Sequence, residues 1–140
     1  MIYVSLSTIP QRLKNLNRSV ESLLTQTLKP DKIFINIPLQ YKRFSEVINE
    51  DHIPKFDNSI VEVTRCNDYG PGTKLLGSLN KFEKNSLVIL VDDDHIYEDF
   101  MIEKFFYFYS KSPNNAYSFY VHPLGNFGIG QGADGFAINT

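Results

Sequence analysis

The sequence has no tryptophan and only one cysteine among its 140 residues. A lone cysteine, Cys66, excludes an internal disulfide framework and a zinc site built on cysteines, and it fits a reducing compartment. We interpret Cys66 as a small, half-buried side chain at the end of a strand. The fold is therefore expected to depend on an apolar core rather than on covalent cross-links.

Long hydrophobic runs and an excess of one charge are also missing. The N-terminal segment Met1–Ser7 has no basic flank and too short an apolar run for a signal peptide, and no stretch has the length of a membrane-spanning segment. The 14 Lys and Arg against 16 Asp and Glu give a net charge of −2, which disfavours nucleic-acid binding through phosphate neutralisation. We expect a soluble, cytoplasmic chain with no transmembrane segment and no nucleic-acid partner.

The length of the chain bounds its domain organisation. A chain of 140 residues can bury a sizeable core but leaves little room for a second one, so we expect a single domain over residues 1–140. The segment Gly135–Ile138 has the pattern of a strand, and the chain stops at Thr140 with no turn or cap behind it. We therefore expect the chain to be truncated at its C-terminus.

One stretch of the sequence indicates a chemical role, because a fully apolar strand, Leu87–Val91, runs directly into Asp92, Asp93 and Asp94. Such an apolar run is typical of a strand buried on both faces in a parallel sheet, and ligands bind outside the carboxyl ends of such strands. Three adjacent carboxylates repel one another, and a hard divalent cation with oxygen ligands is their natural partner. The alternative is a solvated acidic turn.

The N-terminal part of the chain predicts a parallel crossover. Ile2–Ser7 is β-rich, and Thr8 and Gln11 have the spacing of a capping box around Pro10, which predicts a helix with apolar residues at helical spacing. Lys32–Ile37 is the second strand. A strand, a helix and a strand in this order imply a right-handed parallel crossover.

The remaining elements continue this alternation. Ser59–Thr64 is a third strand, Asp68–Gly72 is a loop whose glycines allow close approach to a ligand, and Thr73–Phe82 is a helix. Glu98–Ser110 is a further helix, and Ala116–Val121 is a fifth strand. The apolar stripe of the second of these helices, predicted to be core, comprises Phe100, Met101, Phe105, Phe108 and Tyr109.

Three segments that follow strands have an order found in a known enzyme family. They are Ser7–Pro10 with Arg12 after the first strand, Asp68–Lys74 after the third, and Asp92–Asp94 after the fourth. This order resembles the nucleotide-binding half of GT-A-fold glycosyltransferases, especially family-2-like members, and the last segment looks like their D-x-D signature. The chain is also similar to capsid-modifying glycosyltransferases of large algal viruses, which would place it in the host-cell cytoplasm.

The resemblance implies a fold and a donor site. The fold would be α/β and Rossmann-like, a GT-A nucleotide-sugar-binding fold with a mostly parallel central sheet flanked by helices and an incomplete acceptor part. The loop after the first strand and Asn36 would hold the nucleobase and ribose, Tyr69 would be able to stack on a base, and Lys74 would be able to reach a phosphate. The implied donor-binding residues are Thr8, Pro10, Arg12, Asn36, Asp68, Tyr69, Lys74, Asp92 and Asp93.

The resemblance also implies a metal ion and a catalytic base. Asp92 and Asp94 would hold Mn²⁺ or Mg²⁺, which prefer oxygen ligands and keep several waters, while Asp93 would touch ribose or sugar hydroxyls. An inverting transferase needs a base for the acceptor hydroxyl. Asp134, which opens the last predicted strand, matches the position of that base, and the alternative for it is the capping of a turn.

The activity implied by the resemblance is a metal-dependent transfer of a sugar, hexosyl or deoxyhexosyl. The donor would be a nucleoside diphosphate sugar, with a UDP-sugar favoured, and the acceptor a hydroxyl on a glycan or a protein, with inversion at the anomeric carbon. Two alternatives stay open. A metal-dependent phosphoesterase would use the same clustered carboxylates, and a non-catalytic fragment would bind the nucleotide sugar without turning it over.

Overall fold

The computed structural model describes residues 1–124, 127–130 and 135–140, with the backbone alone at 121–124 and 127–130. Its strands and helices follow the alternation that the sequence predicts. The α-helices are α1 (Leu16–Leu24), α2 (Thr73–Leu76) and α3 (Met101–Lys111). The strands are β1 (Ile2–Ser7), β2 (Lys32–Pro38), β3 (Val61–Cys66), β4 (Leu87–Leu90), β5 (Tyr117–Ser118), β6 (Val121–Leu124), β7 (Phe127–Gly130) and β8 (Phe136–Asn139).

A mixed sheet of six strands, in the order β3-β2-β1-β4-β8-β5, forms the centre of the fold. The first four strands are parallel, and in their register Val4 lies opposite Ile33 on one side and Ile89 on the other. The strand β8 enters antiparallel between β4 and β5, and it pairs Phe136 with Leu90. The fold is therefore α/β with a mostly parallel sheet, as the sequence predicts.

Both faces of the central strands are buried. On one face Val4, Ile33 and Ile89 are inaccessible to solvent, and the apolar side of α1 covers them through residues such as Leu16 and Leu23. A smaller cluster on the opposite face contains Tyr3, Phe34 and Val88 with the ring of Phe82. This double burial explains why these strands contain so few polar residues.

The predicted capping box after β1 is wrong. Thr8 does not cap a helix, because its hydroxyl donates a hydrogen bond to Asp93 instead. The chain enters a 3-10 helix over Pro10–Asn15, whose N-cap makes no side-chain hydrogen bond, and only then continues as α1. The side chain that the pattern assigned to local capping therefore belongs to the carboxyl edge of the sheet.

The helix predicted over Thr73–Phe82 is also shorter than expected. It ends after one turn at Leu76, and a separate 3-10 turn follows at Leu79–Lys81. Gly77 ends the helix where the backbone lies directly against the side chain of Asn36. Glycine is a poor helix former, and contact with the sheet decides the ending here.

Two predictions for the C-terminal third need correction. Of the predicted apolar stripe, Met101 and Phe105 are buried and Tyr109 is half-buried. Phe100 and Phe108 are exposed. The predicted fifth strand is only the two residues of β5, because the chain leaves the sheet afterwards and β6 pairs with β7 as a separate hairpin. Helical spacing identifies a face of a helix but does not show what covers it.

Candidate functional site

A cavity of about 290 Å³ opens at the carboxyl ends of β1, β2 and β4. This is the edge at which parallel sheets bind ligands. Cations and carboxylates lie together in its wall, which makes it the strongest candidate site in the described part of the chain. The wall is formed by Ser7, Thr8, Ile9, Arg12, Pro38, Tyr41, Arg43, Phe44, Asp68, Gly70, Pro71, Thr73, Lys74, Asp92 and Asp93.

Asp93, the middle carboxylate of the acidic segment 92–94, is only 3% exposed. Its Oδ2 accepts a hydrogen bond of 2.5 Å from the Thr8 hydroxyl, and its Oδ1 accepts one of 3.0 Å from Arg12. The backbone carbonyl of Asp93 also accepts a hydrogen bond from Ser19 of α1. Both oxygens of this carboxylate therefore connect the loop after β4 to the loop after β1, which fixes the floor of the site.

Arg12 links two members of the acidic segment. One of its nitrogens lies 3.0 Å from Asp93 and 3.1 Å from Asp94, and the guanidinium is half-exposed. The hydrogen bond to Asp93 raises the pKa of Arg12 further above its ordinary value, so the group stays charged. Asp94 itself is exposed and is not part of the cavity wall. Arg12 therefore offsets part of the repulsion between neighbouring carboxylates.

Lys74 pairs with Asp92, the first carboxylate of the acidic segment. The ammonium group of Lys74 donates a hydrogen bond to Asp92 Oδ1, and both side chains are partly buried, with 22% and 36% of their surface exposed. The backbone of the lysine is held from below, because its carbonyl oxygen accepts a hydrogen bond of 2.5 Å from the Ser5 hydroxyl. A cation from α2 therefore lies over a carboxylate from the loop after β4.

Asn36 lies beneath this lysine and does not line the cavity. Its side chain is fully buried, and its amide nitrogen donates to Ser5 at 2.9 Å and to the carbonyl oxygens of Leu6 and Lys74. The amide oxygen accepts a hydrogen bond from Ser78. The expected contact between Asn36 and a nucleobase or ribose therefore needs correction, since the hydrogen-bonding groups of Asn36 face protein.

Asp68 organises the loops on the other side of the cavity. Its carboxylate accepts hydrogen bonds of 2.7 Å from the backbone nitrogens of Lys42 and Gly70. The hydrogen bond from Lys42 is the main reason that the pKa of Asp68 lies below its ordinary value, and the bond from Gly70 adds to it. Gly70 has φ of +60°, a conformation that suits glycine. Asp68 thus joins the loop after β2 to the loop after β3.

Tyr41 is a wall residue that sequence reasoning missed. It is buried, and its hydroxyl donates a hydrogen bond of 2.9 Å to the backbone carbonyl of Thr8. Burial raises the pKa of this hydroxyl, so it stays protonated. The sequence of residues 41–50, after β2, predicts either a short helix or an ordered loop. Its position after a parallel strand was the available signal, because such loops meet at one edge.

The remaining predicted residues lie in different places. Tyr69 lines a neighbouring groove of about 710 Å³ together with Cys66, and Tyr41 and Asp68 separate that groove from the cavity. Cys66 is half-buried at the end of β3 as predicted, and burial raises the pKa of its thiol. Pro10 begins the 3-10 helix beside the cavity and is not part of its wall. Asp134 lies outside the described residues.

The acidic segment offers few protein ligands to a divalent cation. Asp92 and Asp94 are partly exposed hard oxygen donors on either side of buried Asp93, and the ammonium group of Lys74 stands against Asp92 where a cation would bind. Among the described side chains, no group of three or more His, Cys, Asp or Glu residues could enclose a metal. A divalent ion at Asp92 or Asp94, such as Mg²⁺ or Mn²⁺, would therefore take most of its ligands from phosphate oxygens and water.

Comparison with known sequences gives no relative. No protein-family model matches the chain. No curated protein matches it either. In the described part of the chain, no helix has the length and hydrophobicity required to cross a bilayer.

Comparison with solved structures gives two kinds of neighbour. S. aureus TarS 1–349 is similar over 93% of this chain with a TM-score of 0.59 and 14% identity, and its complex with UDP-GlcNAc gives a TM-score of 0.60. Francisella tularensis 2-C-methyl-D-erythritol 4-phosphate cytidylyltransferase is similar over 99% of this chain and 70% of its own, with a TM-score of 0.55 and 14% identity.

These similarities establish the fold. The six-stranded sheet of this chain, with its flanking helices, matches the Rossmann-like fold of these two neighbours. The chain spans 38% of the TarS chain. The fold class predicted from the sequence is confirmed.

Proposed function

We propose that this chain binds a nucleoside diphosphate sugar, with a UDP-sugar favoured, and belongs to a metal-dependent glycosyltransferase. One observation carries the proposal. Asp92 and Asp93 lie with the cations Arg12 and Lys74 in the wall of one cavity at the carboxyl edge of a GT-A-like sheet, and Asp94 pairs with Arg12 beside it. The TarS complex with UDP-GlcNAc has the same fold and supports a donor of this class.

The chemistry of sugar transfer explains why cations line the site. The bond between the anomeric carbon and the diphosphate oxygen breaks, a bond to the acceptor oxygen forms, and negative charge develops on the departing diphosphate. Arg12 and Lys74 lie where they can face that charge from two sides. Arg12 is already held by the carboxylates of Asp93 and Asp94, so its guanidinium needs little reorganisation during the reaction.

Asp92 and Asp94 would hold the divalent cation. When bound, Mg²⁺ or Mn²⁺ supplies a Lewis acid that stabilises the diphosphate as it leaves. The buried carboxylate of Asp93 has a different role in this proposal, because its two oxygens already bind Thr8 and Arg12. It positions the guanidinium instead of contacting sugar hydroxyls.

The acceptor side of the reaction stays a proposal from sequence. A hydroxyl on a glycan or protein would attack the anomeric carbon with inversion, and its proton would pass to Asp134. The backbone of β8 begins two residues after Asp134 and lies beside β4, which carries the acidic segment. This adjacency supports Asp134 as the residue to test as base.

A second candidate function is nucleotidyl transfer. The cytidylyltransferase shares the fold over nearly the whole of this chain and over 70% of its own length. In nucleotidyl transfer in general, an acceptor phosphate attacks the α-phosphate of a nucleoside triphosphate, and pyrophosphate leaves. The same cations would face the leaving group, so the two functions differ in which bond of the nucleotide breaks.

Ligand binding by the 140-residue chain separates these functions. We expect UDP-GlcNAc or UDP to raise the melting temperature in the presence of MnCl₂, since a ligand that binds the folded state stabilises it. CTP should give a smaller shift, and the reverse order would favour nucleotidyl transfer. Calorimetric titration of the best ligand then gives its affinity.

Variants of the acidic segment test the assignment of the site. Asp94→Ala should weaken Mn²⁺-dependent binding of UDP at least about tenfold, because a charged ligand to the cation is lost. Asp57→Asn, which also removes one negative charge, is the matched control, since Asp57 is exposed and lies outside the cavity. Absence of binding by any nucleoside diphosphate, or undiminished binding after Asp94→Ala, would contradict the proposal.

A further inference from the structure

We propose that Lys74 is an internal counter-ion that exchanges with a divalent cation at Asp92 and thereby couples cation binding to diphosphate binding. The inference deepens the proposed function and rests on it for the presence of a divalent cation at this edge. In the structure the ammonium group of Lys74 is bound to Asp92. A cation that binds Asp92 must displace it.

The position of Lys74 is built into the core. Its carbonyl oxygen accepts hydrogen bonds from the side chains of Ser5 in β1 and Asn36 in β2, at 2.5 and 3.4 Å. Ser5 and Asn36 are completely buried and also bind each other. The backbone of the lysine is therefore fixed to the sheet, while its flexible side chain can leave Asp92 without any movement of α2.

The other carboxylates of the acidic segment have different partners. Asp93 is buried and engaged by Thr8 and Arg12, and Asp94 is paired with the same guanidinium. A guanidinium held by two carboxylates is harder to displace than a single ammonium, which has one carboxylate partner here. Of these two cations, Lys74 is therefore the one that is able to move.

Coupling follows from this exchange. A divalent cation alone must break the pair between Lys74 and Asp92, and a diphosphate alone meets a lysine that is already engaged. When both bind, the cation takes Asp92 and the released ammonium group turns to the phosphate oxygens, so each ligand removes a cost from the other. The coupling must be reciprocal, because each ligand changes the affinity of the other by the same factor.

The test measures Mn²⁺ binding without catalysis. The electron paramagnetic resonance signal of free Mn²⁺ is titrated against the 140-residue chain with and without UDP, for wild type and for Lys74→Met. We expect Lys74→Met to raise the affinity for Mn²⁺ alone on the order of tenfold, because a competing cation at a partly buried carboxylate is gone. The factor by which UDP raises Mn²⁺ affinity should fall by a similar amount.

Lys81→Met is the matched control. Lys81 also pairs with a partly exposed carboxylate, Glu62, and its loss changes the net charge equally, but it lies outside the cavity. It should leave Mn²⁺ affinity within about twofold of wild type, because screened charges at a distance contribute little. In an Asp92→Asn background, Lys74→Met should have no effect on Mn²⁺ affinity.

The possible outcomes separate the inference from the proposed function. If Lys74→Met leaves Mn²⁺ affinity unchanged, or Lys81→Met raises it equally, the exchange is refuted even when UDP binds. If Lys74→Met raises Mn²⁺ affinity and UDP binds neither protein, the exchange at Asp92 stands, whereas the coupling and the proposed function fail. Circular dichroism melting of each variant confirms that it is folded.

Discussion

The carboxyl edge of the sheet and the outer surface of α3 differ in which side chains they enclose and which they expose. At the edge, Arg12 and Lys74 pair with the carboxylates of the acidic segment. On α3, the aromatic rings of Phe106, Tyr107 and Phe108 are 41%, 51% and 50% exposed. Charged residues, which usually face water, are partly enclosed, and aromatic residues, which usually form core, face outward.

The difference shows that the burial of a side chain depends on the elements packed around it and not on its residue type alone. The edge is crowded because four parallel strands deliver their loops to one place. The helix α3 packs against β4 and β5. The strand β5 is only two residues long, so it covers little of the helix. Substitutions at matched positions in each region can therefore test how much each contact contributes.

The largest effect is expected within α3. Phe105→Ala should lower the free energy of unfolding by about 3–5 kcal/mol, because the ring is buried and packs against Phe119 with 4.7 Å between ring centroids. Phe106→Ala, one residue further on, should change it by less than about 1 kcal/mol, since that ring is exposed. Urea denaturation followed by circular dichroism measures both. Equal losses would show that the outer surface of α3 is covered.

The next effect compares two neighbours in the acidic segment. Asp93→Ala should cost about 2–3 kcal/mol of unfolding free energy, because the buried Thr8 hydroxyl and Arg12 lose their acceptor. Asp94→Ala should cost less than about 1 kcal/mol, since its pair with Arg12 is exposed. The same denaturation experiment measures both. A larger loss for Asp94 than for Asp93 would contradict the structural role given to Asp93.

A smaller effect is expected from the glycines that flank α2. A Cβ atom at Gly77 would lie 2.6 Å from Asn36 Oδ1, so Gly77→Ala should destabilise the fold by about 1–2 kcal/mol and loosen the support of Lys74. At Gly72 the nearest atom, Leu76 Cδ1, is 3.5 Å away, and Gly72→Ala should stay within about 0.5 kcal/mol of wild type. Melting temperatures distinguish the two. A tolerated Gly77→Ala would mean that the backbone under Lys74 is not fixed.

The smallest effect is a pH dependence at Asp68. Its pKa in the folded chain lies below the ordinary value of 3.8, so its contribution to stability is complete above that value and is lost as the pH falls through the folded pKa. Wild type should therefore lose more stability than Asp68→Asn between pH 5 and pH 3, an interval chosen to span the ordinary value of about 3.9. Urea midpoints across this range measure the difference. Parallel plots of urea midpoint against pH for the two proteins would contradict the role of Asp68 in joining the two loops.

Much of the fold could be predicted because it depends on short-range pattern. The strands β1, β2 and β4 begin where their apolar runs begin, and the run into Asp92 correctly identified the carboxyl edge of a parallel sheet. The pattern could not reveal that β8 returns between β4 and β5. That pairing joins Leu90 to Phe136, and no local signal specifies so distant a partner.

The site was predicted in part for the same reason. Thr8, Arg12, Asp68 and Lys74 were predicted as donor-binding residues from the resemblance, on segments that follow strands. The structure places all four in the wall of one cavity, and their role in binding stays a prediction. Asn36 was misplaced because its strand end looks identical in sequence whether the side chain faces a ligand or, as here, the buried hydroxyls of two serines. The direction of a side chain depends on register and on neighbours that lie far away along the chain.

The late position of β8 in the chain has a consequence for synthesis. The strand β4 gains its second neighbour only when Phe136–Asn139 arrives, long after the acidic segment has left the ribosome. Until then one side of β4 is an open edge that another chain could pair with. The nascent protein thus carries the acidic segment beside an unpaired strand edge, and a delay in translation before β8 would favour aggregation over folding.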